Sequence, residues 1–137
     1  MSNKIMISIH HKHAERIFSG EKTLEIRKSA PSITPFIVYM YETKSGGGAG
    51  AVVGQFRCKE VNKTDIFSSW SEEPQLGKTR ECIIKASCLS FSELVEYAHG
   101  GDICALIVSD VIRYPVPLPL SALGINRAPQ SWQYIKS

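Results

Sequence analysis

The chain has 137 residues, 43% hydrophobic and 21% charged, with a formal net charge of +3. That balance is ordinary for one globular domain over residues 1–137, and it excludes disorder, collagen and coiled coil for the whole. The longest unbroken apolar stretch, Ile103 to Val108, is too short to cross a bilayer as a helix; the alternating N-terminus carries no secretory pattern, so the expected location is the cytoplasm, with no membrane partner.

Lys4 to Ile9 alternates and places Ile5, Ile7 and Ile9 on one face of a strand. His10, His13, Ala14 and Ile17 then fall on one stripe of a short helix that Gly20 ends. Lys22 to Lys28 alternates again: Leu24 and Ile26 point one way, Thr23, Glu25 and Arg27 the other. A row of Thr, Glu and Arg does not belong in an apolar core and has to line water, a cleft or a binding site. Lys22 has the parity of Leu24 and reaches the polar face only if the turn rotates it or its stem curls round.

Pro31 and Pro35 bracket a loop before a strand at Phe36 to Tyr41. Gly46-Gly47-Gly48-Ala49-Gly50 lacks the Gly-Lys-Ser/Thr of a phosphate loop and precedes a strand at Ala51 to Val61, so it reads as a mobile hairpin tip. Ile66, Phe67 and Trp70 suggest a helical turn, and Glu81 to Ala86 a helix. Ser90 to His99 is the clearest helix, with a Ser90/Glu93 capping box, a Leu89/Leu94 staple, a buried stripe of Phe91, Leu94, Val95 and Ala98, and a stop at Gly100-Gly101. Ile103 to Arg113 reads as a central strand. Pro115, Pro117 and Pro119 predict an extended crossing segment without regular pairing. A single turn at Ser121 to Gly124 and a short strand at Ser131 to Ile135 close the chain. This order predicts an α+β fold with a curled, mostly antiparallel sheet and two or three helices.

Three constellations bear on chemistry. Residues 1–68 hold 10 Lys/Arg against 6 Asp/Glu, and Lys22, Arg27 and Lys28 cluster there as a solvated basic surface or a cleft for phosphate. In Gly20 to Arg27, Lys22 and Glu25 fit an acid/base pair with Arg27 as anion clamp, and equally fit a cross-strand ion-pair lattice. In Arg127 to Tyr134, the charge of Arg127, the polar groups of Gln130 and Ser131 and the ring of Trp132 suit an unstacked base; Trp132 and Tyr134 also fit core aromatics behind a polar turn, the reading favoured for Trp132. His10, His11, His13 and His99 have no Cys or carboxylate partner at ligand spacing, so neither metal nor cofactor is expected. The four cysteines lack a Cys-x-x-Cys pair and read as free thiols, Cys104 as a buried small hydrophobe.

Gly20-x-Lys22-x-x-Glu25-x-Arg27 after a strand and short helix resembles the signature of the ASCH domain family, part of the PUA-like superfamily. Ser8-Ile9, Val38 to Tyr41, Val53-Gly54-x-Phe56, Leu123-Gly124-Ile125 and Ala128-Pro129-Gln130-Ser131-Trp132 extend the resemblance over nearly the whole chain. It implies a small β-barrel with flanking helices, a cleft holding Lys22, Glu25 and Arg27 with Tyr41 as an aromatic wall, and binding of RNA or a nucleoside or nucleotide, linked to RNA regulation. Some relatives are hydrolases of N4-acetylcytidine; their pattern keeps the Lys but has Thr where this chain has Glu25, and takes a further Glu from the central segment, here one of Glu72, Glu73 and Glu81. Others are linked to RNA cleavage. The expected alternatives are therefore an RNA-binding module in which Arg27 and Lys28 hold phosphate, and a hydrolase or ribonuclease using Lys22 and Glu25. The oligomeric state is not legible in the sequence.

Overall fold

The structure is a computed structural model, described over residues 3–65 and 80–136. The elements are β1 (Lys4–Ile9), α1 (His11–Ser19), β2 (Leu24–Arg27), β3 (Phe36–Glu42), β4 (Ala51–Thr64), α2 (Arg80–Ser87), α3 (Phe91–Ala98), β5 (Ile103–Leu118) and β6 (Trp132–Tyr134), with single 3-10 turns at Ser45–Gly47 and Leu120–Leu123. The expected turn at Ile66, Phe67 and Trp70 lies outside the described residues, as do Glu72 and Glu73.

The strands form one sheet in the order β2-β5-β4-β3-β1-β6. Among the described residues only β1 and β3 pair in parallel; the remaining neighbours are antiparallel. The expected α+β architecture, a curled and mostly antiparallel sheet with flanking helices, is the one observed.

Alternation explains the packing. Ile5, Ile7 and Ile9 of β1 meet Val38 and Met40 of β3, Phe56 of β4, and Ala14 and Ile17 of α1 in the main core. Leu24 and Ile26 turn to a second cluster with Ile83 of α2, Leu94 and Ala98 of α3, and Ile103 and Ala105 of β5. β2 therefore carries Leu24 and Ile26 into an apolar layer and leaves Glu25 and Arg27 on its other face. Gly20 ends α1 at φ +88°, a left-handed conformation that glycine adopts without strain, and its N–H bonds to the Ile17 carbonyl. At α3 the capping box is complete: Ser90 Oγ accepts the Glu93 N–H at 3.1 Å and Glu93 Oε1 accepts the Ser90 N–H at 3.1 Å.

The proline segment is irregularly paired, as expected, but β5 extends through it: the register against β4 jumps from Gly54–Arg113 to Val52–Leu118, and residues 114–117 fall in the break. Prolines, which lack an N–H, are tolerated where the ladder is already interrupted. The glycine run forms the expected hairpin tip between β3 and β4, and it folds back over the end of β3, where Gly50 N–H reaches the Glu42 carbonyl at 2.9 Å and Ala49 N–H reaches Glu42 Oε1 at 2.8 Å. All four cysteines are free thiols, with Cys58 and Cys104 buried. Burial pushes the Cys58 thiol up to about 11, which makes it an inert apolar group. No described helix is long and apolar enough to cross a membrane.

Candidate functional site

A cleft of about 500 Å³ opens between α1, β2, α3 and the segment before β6, lined among others by Ser8, His13, Lys22, Glu25, Arg27, Tyr97 and Gln130. The turn after α1 sets up its floor. Lys22 N–H bonds to the Arg16 carbonyl at 2.9 Å, and Thr23 is fixed by its N–H to the Ala86 carbonyl at 2.8 Å. That turn swings the Lys22 side chain to Glu25 despite its parity with Leu24. Its ammonium donates to the Ser87 carbonyl and lies 3.4 Å from Glu25 Oε1. Lys22 is 1% and Glu25 5% exposed, so the pair sits at the inner end of the cleft.

Arg27 turns its whole guanidinium to protein acceptors. Nε and Nη2 donate to Glu25 Oε2 at 3.1 and 2.7 Å, Nη2 also to the Ser8 carbonyl at 2.8 Å, and Nη1 to the carbonyl and Oγ of Ser131 at 3.1 and 3.3 Å. β2 and β6 are the two ends of the sheet order. Arg27 on β2 thus ties itself to β1 and to the entry of β6, and closes the seam of the curled sheet. Burial pushes the Glu25 carboxyl upward, but the charges of Arg27 and Lys22 and the Arg27 hydrogen bonds outweigh it and hold the group below the usual carboxylate range. Glu25 is therefore an anion at neutral pH, neutralised by its two cations. Burial and the neighbouring Lys22 charge lower His13 to about 4, so a neutral imidazole lines the cleft beside them.

The C-terminal wall is pinned by Ser8, whose hydroxyl donates to the Pro129 carbonyl and whose N–H reaches the Ser131 carbonyl at 3.1 Å. This presents Gln130 to the cleft. The outer wall belongs to α3: Glu93, Glu96 and Tyr97, with Leu89 just before the helix.

Of the residues singled out in the sequence, Lys22, Glu25, Arg27 and Gln130 converge in the cleft. Ser131 holds Arg27. Lys28 is exposed beside the cleft, its ammonium 5.8 Å from the centre of the Tyr97 ring. Tyr41 packs with Met6, Val52 and Ile125, and Arg127 lines a separate hollow with Asn126 and Tyr134. Trp132 is held against the main core, its indole N–H donating to the Ser29 carbonyl at 3.0 Å, and it meets Tyr134 edge-on at 5.2 Å. Glu81 is exposed on α2 and away from the cleft lining. The sequence reading missed Tyr97, Glu96 and the cleft role of His13. Glu93 and Tyr97 sit one turn apart on α3, beside the buried stripe, and that spacing was the available signal.

The ASCH domain family model matches residues 7–96. Solved structures agree with the fold. ASCH from Zymomonas mobilis superposes with a TM-score of 0.75 at 21% identity, covering 98% of this chain and 88% of that one. A tyrosine-to-phenylalanine variant of the same protein gives 0.74 at 22% identity, over 98% and 91%. At that identity the likeness concerns the PUA-like α+β fold. Among curated sequences, the ATP synthase subunit alpha of Ureaplasma parvum serovar 3 is 28% identical over 133 residues, which is 96% of this chain; the chain spans 15% of that relative's length.

Proposed function

The chain belongs to the ASCH domain family, and on that premise we propose that it binds RNA by taking one unstacked nucleoside into the cleft. The observation that carries this reading is the convergence of Lys22, Glu25 and Gln130 with Tyr97 around about 500 Å³, a volume within the usual range of small-ligand sites. Gln130 is exposed and offers both donor and acceptor to a base edge. Tyr97, Leu89 and Ile9 supply the apolar wall that a base needs.

Charge decides where the phosphates go. Arg27 has its N–H groups engaged, and Glu93 and Glu96 line the cleft, so the interior repels phosphate. Lys28, across the Tyr97 ring, is placed to meet the backbone as it leaves the cleft. Nucleoside recognition inside and a few phosphate contacts outside therefore go together.

Fluorescence anisotropy with a short labelled single-stranded RNA tests this. With two phosphates held, affinity falls about sevenfold between about 50 and 200 mM salt, from a slope of about −0.7 per phosphate. Gln130→Ala weakens binding about tenfold, the loss of one or two hydrogen bonds. Absence of binding at low salt, or full affinity in Gln130→Ala, overturns the reading.

The buried ammonium of Lys22 beside Glu25 favours a second reading, hydrolysis of a modified nucleoside, since charges this buried cluster at reactive sites. Glu96 is then the carboxylate on the cleft wall available to move a proton, Glu93 being tied into the capping box. Turnover of N4-acetylcytidine that disappears in a folded Lys22→Met variant would establish it, and inertness of the native protein would exclude it.

A further inference from the structure

We propose that His11, Glu15 and Glu42 form a binding site for a first-row divalent cation of the Zn²⁺ type, on the side of α1 turned away from the cleft. Contrary to the expectation of no metal, His11 has a carboxylate partner at ligand spacing: Glu15 stands one turn along α1, and Glu42 ends β3. One ligand atom from each lies within 4.8 Å of the others.

The geometry between His11 and Glu42 is the decisive detail. Nδ1 of His11 is wholly buried and makes no hydrogen bond, yet it lies 3.1 Å from Glu42 Oε1. Two groups that are close without being hydrogen-bonded are spaced as neighbouring ligands: donors at about 2.0–2.2 Å from one cation stand about 2.8–3.6 Å apart at octahedral to tetrahedral angles. The Glu42 side chain is 5% exposed, and its ion-pair partner among the described residues is His11, which carries charge only when protonated. A divalent cation shared by the neutral imidazole and the carboxylate would supply the counter-charge without that proton.

The surroundings are built to hold these groups. The glycine run closes over Glu42, with Ala49 N–H on its Oε1. Gly48 has to be glycine, because a Cβ there would lie 1.6 Å from the Thr43 carbonyl oxygen and 3.1 Å from Glu42 Cγ. Glu15 is oriented by a two-pronged pair with Arg113 at 2.9 and 2.8 Å, whose guanidinium lies 4.1 Å from the Phe18 ring centre. The pair occupies both carboxylate oxygens, so a cation would draw on a remaining lone pair of one of them, with Arg113 fixing its direction. One imidazole and two carboxylates suit Zn²⁺ or Mn²⁺ better than Mg²⁺ or Ca²⁺, which prefer oxygen alone. Binding would lock the start of α1 to the end of β3. The site is separate from the cleft and does not depend on the RNA reading.

Calorimetric titration of chelator-stripped protein with Zn²⁺, paired with thermal melting, is the test. The expected result is 1:1 binding with a raised Tm, weakened at least tenfold in Glu42→Gln and in His11→Gln, and unchanged in His99→Ala. His11→Gln is partly exposed and keeps the fold testable if Glu42→Gln unfolds. Co²⁺ should show visible bands of nitrogen and oxygen ligation without thiolate charge transfer. No Tm change with Zn²⁺, equal affinity in His11→Gln, a thiolate signature, or an equal response to Mg²⁺ would each overturn the proposal.

Discussion

Arg27 is the residue on which the site and the barrel seam both depend. Alternation in the sequence places Glu25 and Arg27 on one face, but it leaves an ion-pair lattice and an anion clamp equally open. The partners that decide the matter, Ser8 and Ser131, are far away in the chain and carry no local signal. Arg27→Lys keeps the charge and loses the planar fork that reaches Glu25, Ser8 and Ser131 together. It should cost about 1.5–3 kcal/mol, the worth of a hydrogen bond to a charged group, measured by urea unfolding; a loss below about 1 kcal/mol would remove Arg27 from the seam. His13 makes a second prediction at this scale. Its folded value of about 4 lies below the ordinary 6.5, so the unfolded chain takes up the proton first. The stabilising contribution is whole above about pH 6.5 and is lost as the pH falls toward about 4. An NMR titration of the His13 ring should show a midpoint near 4, and a midpoint near 6.5 would contradict the burial described.

At the scale of elements, local chemistry was legible where it is self-contained. The Ser90/Glu93 box, the buried stripe of α3 and the Gly20 stop depend on neighbours within a turn or two, and all appear as expected. The broken pairing at Pro115 and Pro117 was legible too, but not the return of β5 to the ladder at Leu118, because its partner Val52 lies far away in the chain. The glycine run was legible as a hairpin tip but not as a clamp on Glu42, because glycine permits a mobile tip and a close approach alike. Gly48→Ala separates the two. A methyl group directed at the Thr43 carbonyl has no room, so the loop must shift and release Glu42, at a cost of about 1–3 kcal/mol. Unchanged thermal stability in Gly48→Ala would mean the loop does not clamp Glu42.

At the scale of the whole molecule, the cleft is assembled by topology. α1 and β2 come from one end of the chain, α3 from its middle, and Gln130 from the segment that returns to β1. The signature of Lys22, Glu25 and Arg27 was readable in the sequence because one strand carries it. The α3 wall was not, because nothing local says which helix covers that strand. The net charge of +3 likewise conceals an arrangement in which cations are neutralised inside the cleft and Lys28 lies outside it. The central claim is that this cleft, and no other hollow of the barrel, takes the nucleoside. The most direct measurement is NMR mapping of ribonucleoside and short RNA binding on isotope-labelled protein. The account predicts shifts at His13, Lys22, Tyr97 and Gln130 with either ligand, joined by Lys28 only with RNA. Shifts confined to the hollow around Arg127 and Tyr134, or to the separate hollow that Lys28 lines with Lys63 with the cleft silent, would contradict it.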